Sequence, residues 1–143
     1  LRYLQGIPLG SGTVLMINSV AEAVNNSGNP NHSVLIGSIA GVRGLSDNLY
    51  RNRAQVYTNL ELRHAIQVVP RWAVQGVVFS DFGTFQSFTA QGNVLDWQGA
   101  VNVGTGARII PTFISNTLLR VDFAHLFSPS PNFLVQFGIT QYF

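Results

Sequence analysis

Residues 133–143 alternate: Phe133, Val135, Phe137, Ile139 and Phe143 share one face, while Gln136, Gly138, Thr140 and Tyr142 share the other. Period two is that of a β-strand, whose successive side chains point to opposite sides of a sheet. The same period predicts strands near 13–24, 54–66, 73–85, 99–110 and 117–127, with a fragment of another before Leu9. Segment 54–66 sets Val56, Thr58, Leu60, Leu62 and Ile66 against Tyr57, Asn59, Glu61, Arg63 and Gln67. Segment 99–110 sets Val101, Val103, Ala107 and Ile109 against Asn102, Gly104, Gly106 and Arg108. In 117–127, Leu119, Val121, Phe123 and Phe127 oppose Arg120, Asp122 and Ala124.

Connections are expected to alternate in length. About thirty residues separate the first two full strands, followed by a turn at 67–71, a loop at 86–98, a turn at 111–116 and a moderate loop at 128–132. A meander of strands about ten residues long, with long loops on one side and short turns on the other, is the pattern of an outer-membrane β-barrel. The connection 25–53 then faces outward, and Trp72 and Trp97 stand near strand ends, where interfacial aromatic girdles belong.

Composition sharpens this expectation. Charged residues make up 10% of the chain, against about a quarter in an ordinary soluble domain. There is no apolar run of the roughly 18 residues a membrane-spanning helix requires, so any membrane residence must be as strands. Leu1 opens no signal peptide, and an exported protein of this kind is expected to be mature or a fragment whose start lies upstream. The arginines are scattered, Arg51 and Arg53 being the densest pair, which gives nucleic-acid binding little support. A soluble β-sandwich also has short alternating strands; the charge deficit and the aromatic terminus argue against it.

Catalytic chemistry finds no footing. His32, His64 and His125 are isolated, with no metal-ligand spacing, Ser-His-Asp ordering or phosphate loop around them. No enzyme activity, cofactor or metal is expected.

Within the outward connection stands Val42-Arg43-Gly44-Leu45, similar to the Val/Ile-Arg-Gly-Phe/Tyr motif of the bacterial surface antigen superfamily. This is the barrel family of BamA, TamA and the two-partner secretion transporters. Other pieces follow in the family's order: Asn59-Leu60-Glu61-Leu62-Arg63 resembles its Asn-x-Glu-x-Arg strand, and Phe79-Ser80-Asp81-Phe82-Gly83 its Phe-x-Asp-x-Gly strand. Gly104-Thr105-Gly106-Ala107-Arg108 resembles its Gly-x-Gly-hydrophobic-Arg strand, and residues 119–124 and the Phe-terminated end resemble its last two strands. Two departures are Leu45, where an aromatic is usual, and Ser38, where a second glycine is common.

The resemblance implies an all-β fold, with residues 1–143 forming the C-terminal strands of a larger, sixteen-stranded antiparallel transmembrane barrel in the cell outer membrane. It implies assembly, insertion or translocation of proteins there. Partners would be membrane lipid, the remaining strands of the barrel, and unfolded outer-membrane client proteins or a secreted substrate. It further implies a loop latch of Val42, Arg43 and Gly44 held by Glu61 and Asp81, and a lateral seam along the last strand at Phe133, Gly138, Tyr142 and Phe143. The residues alone, without the resemblance, favour Arg43 as a solvated loop residue, with Glu61 pairing to Arg63 or Arg108. The alternative functions are a passive barrel, serving as anchor or pore for a fused or secreted effector such as a patatin-like lipase, and a soluble β-sandwich binding module.

Overall fold

The computed structural model describes residues 1–24, 33–37, 41–45, 50–88, 93–111, 113 and 117–141. Eight strands carry the chain: β1 (Arg2–Gly10), β2 (Thr13–Ala23), β3 (Val34–Ile36), β4 (Tyr50–Val69), β5 (Trp72–Phe88), β6 (Val94–Pro111), β7 (Thr117–Ser128) and β8 (Asn132–Gln141). They form one antiparallel sheet in the order β1-β2-β4-β5-β6-β7-β8, and the described residues include no helix. A sandwich would need a second sheet. The sheet is open: β1 and β8 are its two edges, so the chain by itself is not a small closed barrel.

β3 pairs with the start of β4, Val34 with Asn52 and Ile36 with Tyr50. β2 pairs with the same strand further along, from Ala23 with Ala54 to Thr13 with His64. The two therefore lie in line along one edge of β4, and residues 41–45, which fall between β3 and β4 in the chain, lie against the sheet.

The strands extend further than the side-chain alternation predicts. β4 begins at Tyr50 rather than near 54, and most of the expected loop 86–98 is strand, with Phe88 opposite Val94 and Gln86 opposite Trp97. Two arms joined by a short hairpin keep exchanging backbone hydrogen bonds after their side chains stop alternating. Trp97 accordingly stands within β6, whereas Trp72 opens β5 and meets Phe113 edge-on at 5.3 Å.

Cross-strand register sorts the side chains into rows on two faces. One outer row runs Leu15, Leu62, Val78, Thr105, Phe123, Val135. Apolar residues on this face are open: Val78 is 62% exposed, Phe137 74% and Ile139 75%. On the inner face Arg43, Asp81, Asn102, Arg108 and Asp122 are each buried. This inverts the distribution found in soluble domains, where charges stay out and large apolar patches go in. His64 and His125 lie on the outer face, His64 bonded to Thr13 Oγ1 at 2.8 Å and His125 edge-on to Phe127. His32, Ser38, Tyr142 and Phe143 lie outside the described residues.

Candidate functional site: an arginine held inside the sheet

Three inner rows build the site. The first reads Asn18, Asn59, Asp81, Asn102, Leu126; the next Met16, Glu61, Phe79, Gly104, Ala124; the third Val14, Arg63, Val77, Gly106, Asp122. Residues 41–45 fold over these rows. The segment bends in a turn closed by Leu45 N–H on the Val42 carbonyl at 3.3 Å. Gly44 sits at φ 94°, a left-handed conformation that glycine adopts without penalty, and a Cβ there would press on Leu126.

Arg43 is the centre. Its Nη2 and Nε donate to Asp81 Oδ1 and Oδ2 at 2.6 and 2.8 Å, and its backbone N–H donates to Asp81 Oδ2 at 3.0 Å. Nη1 donates to Glu61 Oε1 at 2.7 Å and lies 3.7 Å from Asp122 Oδ2. The guanidinium plane rests 3.5 Å from the centroid of Phe79, a cation–π contact that is stronger where water is excluded. Both carboxylates reaching one guanidinium nitrogen come from β4 and β7, three strands apart, a separation of roughly 14 Å in a flat sheet. The inner face must therefore curl around the arginine.

The residues around Arg43 divide the work. Phe79 lies under the guanidinium, Asp81 grips it, and Gly83 leaves space for Val42, whose Cγ2 would stand 2.8 Å from a Cβ at that position. Asn59 donates to the Gly41 carbonyl at 2.8 Å, Glu61 binds Arg43, and Arg63 Nε donates to Glu61 Oε2 at 2.7 Å. Gly104 makes room for the Phe79 ring and Gly106 for the Asp122 carboxylate. Arg108 donates to Asp122 Oδ1 at 2.5 Å and to Glu61 Oε1 at 3.2 Å. So Glu61 serves Arg43, Arg63 and Arg108 together, joining partners that the sequence alone offers as alternatives.

Asn102 completes the grip. Its amide donates to Asp81 Oδ2 at 2.7 Å and to the Arg43 carbonyl, and its oxygen accepts the Asp81 N–H at 3.0 Å. From sequence, Asn102 carries only an inner-face position, because a neutral amide gives no signal of what it will bind. Among the described residues no buried side-chain nitrogen or oxygen lacks a partner, the condition under which burying so many charges is tolerable.

Above this ionic layer Val20, Ile36, Val42, Leu45, Tyr57, Phe85, Ala100 and Leu126 form a buried apolar cluster joining the loop to the sheet. Of the seam residues, Phe133 is exposed on the outer face of β8, and Gly138 faces Arg120 on the inner side. Phe133 is remote from the Arg43 cluster, whereas Gly138 borders it through Arg120, which lies 3.7 Å from Asp122.

Compared with protein-family models, with curated proteins and with solved structures, the chain finds no match in any of the three.

Proposed function

We propose that this chain is the C-terminal part of a transmembrane β-barrel of the outer membrane, of the bacterial surface antigen kind, acting in the insertion or translocation of other proteins. The observation that carries the reading is the inversion of the sheet: apolar side chains open on the outer face, and a hydrogen-bonded cluster of arginines and carboxylates buried on the inner one. Lipid outside and a polar lumen inside make that distribution favourable.

The open edges fit the same reading. Unpaired backbone groups are not tolerated in hydrocarbon, so β1 and β8 require further strands to close the barrel. The Arg43 loop, gripped from β4, β5 and β6, would plug the lumen and brace the curled wall, while β8 is attached to the rest of the sheet through β7 alone. Weak closure at β8 would leave an edge where an extended client strand adds by β-augmentation.

Two measurements test this. In the whole barrel reconstituted in vesicles, with Trp97 the one tryptophan retained, fluorescence should be quenched by brominated lipid; a folded, water-soluble protein with no quenching would remove the membrane reading. In the whole barrel, a disulfide locking β8 to its neighbour should abolish client insertion. Unchanged insertion would leave the passive anchor or pore.

A further inference from the structure

The inner-face cluster holds four guanidinium groups, Arg43 and Arg108 buried and Arg63 and Arg120 partly exposed, against three carboxylates, Glu61, Asp81 and Asp122. The surplus charge falls on Arg120. Its carboxylate contact among the described residues is Nε to Asp122 Oδ2 at 3.7 Å, whereas Arg43, Arg63 and Arg108 each have one at 2.7 Å or less.

Register explains where Arg120 goes. Arg120 pairs directly with Arg108 on β6, and like charges facing each other across strands repel. Its other cross-strand neighbour is Gly138. A Cβ on Gly138 would stand 3.0 Å from Arg120 Nε and 3.1 Å from Cγ, so the arginine stem lies over the bare backbone of β8. Glycine at 138 thus lets Arg120 lean away from Arg108, over the sheet's last strand and toward its free edge.

We infer that Arg120, lying over Gly138, is a carboxylate receptor for a strand that adds to β8, selecting one with Asp or Glu facing inward opposite Gly138. This rests on the proposed role of β8 as a seam and names what the seam recognises. The sheet holds a precedent for the reach: Arg108 on β6 donates to Glu61 on β4, two strands away, at 3.2 Å. A residue opposite Gly138 on an added strand would stand at the same two-strand separation from Arg120, roughly 9.5 Å between backbones. The occupant is not β1 of a second copy, because Arg2–Gly10 contains no acidic residue. Charge complementarity calls for a different, acidic strand.

The chain has no cysteine, which makes site-specific cross-linking direct. Ile139→Cys, in the whole barrel held in detergent, is mixed with synthetic strands of about ten residues, the length of a barrel strand. Each alternates Val and Thr, carries one Cys, and has Glu, Gln or Lys at the position opposite Gly138. The Glu strand should cross-link about fivefold better than the Gln strand, the effect of one partly exposed ion pair, and the Lys strand should be worst. Arg120→Glu should reverse the order. Equal yields from the three strands on the unchanged arginine overturn the receptor while leaving the seam in place, and this comparison needs no folded Arg120 variant. No cross-linking by any strand overturns both.

Discussion

Arg43 and Asp81 meet through the backbone as well as the side chain: one carboxylate accepts the N–H of Arg43 at 3.0 Å and its guanidinium at 2.6 and 2.8 Å. A lysine could reproduce the charge but not this fork, since its ammonium is a point donor on a flexible stem. The loop's position is therefore written into a two-residue contact that fixes main chain and side chain at once.

Removing one acid should cost much and removing both should cost less than the sum. Asp81→Asn leaves a buried guanidinium short of a partner, a change of about 3–5 kcal/mol. Glu61→Gln should fall in the same range, because it strips Arg43, Arg63 and Arg108 together. Both acids bind the same guanidinium, so the double variant should show coupling of about 0.5–3 kcal/mol. Urea unfolding in vesicles, followed by tryptophan fluorescence, measures all three. Strict additivity would mean that the acids act independently of Arg43.

Three glycines of β6 make a graded series. A methyl at Gly104 meets the Phe123 carbonyl and the Phe79 ring; at Gly106 it meets Asp122 and the Val121 carbonyl; at Gly99 nothing lies within 4 Å. Gly104→Ala and Gly106→Ala should each destabilise by about 1–3 kcal/mol through overpacking. Gly106→Ala should also displace the carboxylate from Arg108, and Gly99→Ala should be neutral or slightly stabilising. An equal loss at all three sites would mean that these contacts do not set the cost, because the entropic effect of Gly→Ala on the unfolded chain is stabilising.

Asn102 separates a hydrogen-bonding role from a space-filling one. Asn102→Ala orphans the Asp81 N–H and the Arg43 carbonyl and should cost about 1–3 kcal/mol. Asn102→Asp is nearly isosteric but sets a second carboxylate beside Asp81 Oδ2, so it should be the worse of the two at neutral pH. The same unfolding measurement decides, and an aspartate better tolerated than alanine would contradict the assigned amide orientation.

Much of this was legible in the chain because strand period and face are local properties. Alternation around Val56, Val101 and Phe123 placed the outer face, and the run from Tyr57 to Arg63 placed the polar one. Phe79 and Val77 obscured the face of Asp81, since apolar residues on the inner side of β5 break the simple rule; they are there because an arginine covers one of them and β7 packs near the other. Register was not legible. Whether Arg108 faces Arg120 or Asp122 turns on a two-residue slip that keeps every side chain on its own face, so the alternation cannot fix it. Of Glu61's partners, Arg63 is a neighbour on the same strand, whereas Arg43 and Arg108 come from distant segments brought in by the loop and the curl of the sheet.

A charge on the outer face tests what surrounds it. Val78 sits mid-row between Leu62 and Thr105, 62% exposed, with no charged residue in its own strand pairings. In water, Val78→Arg on so open a position should change stability by no more than about 0.5 kcal/mol. In lipid, an arginine near the bilayer midplane costs about 2–4 kcal/mol, falling toward the interface. The substitution should therefore be costly at Val78 and milder at Phe133, near the start of β8. Comparing the two in vesicles by urea unfolding gives a depth profile: a large cost at Val78 with a smaller one at Phe133 places the sheet across the bilayer, and small costs at both would mean that this face meets water.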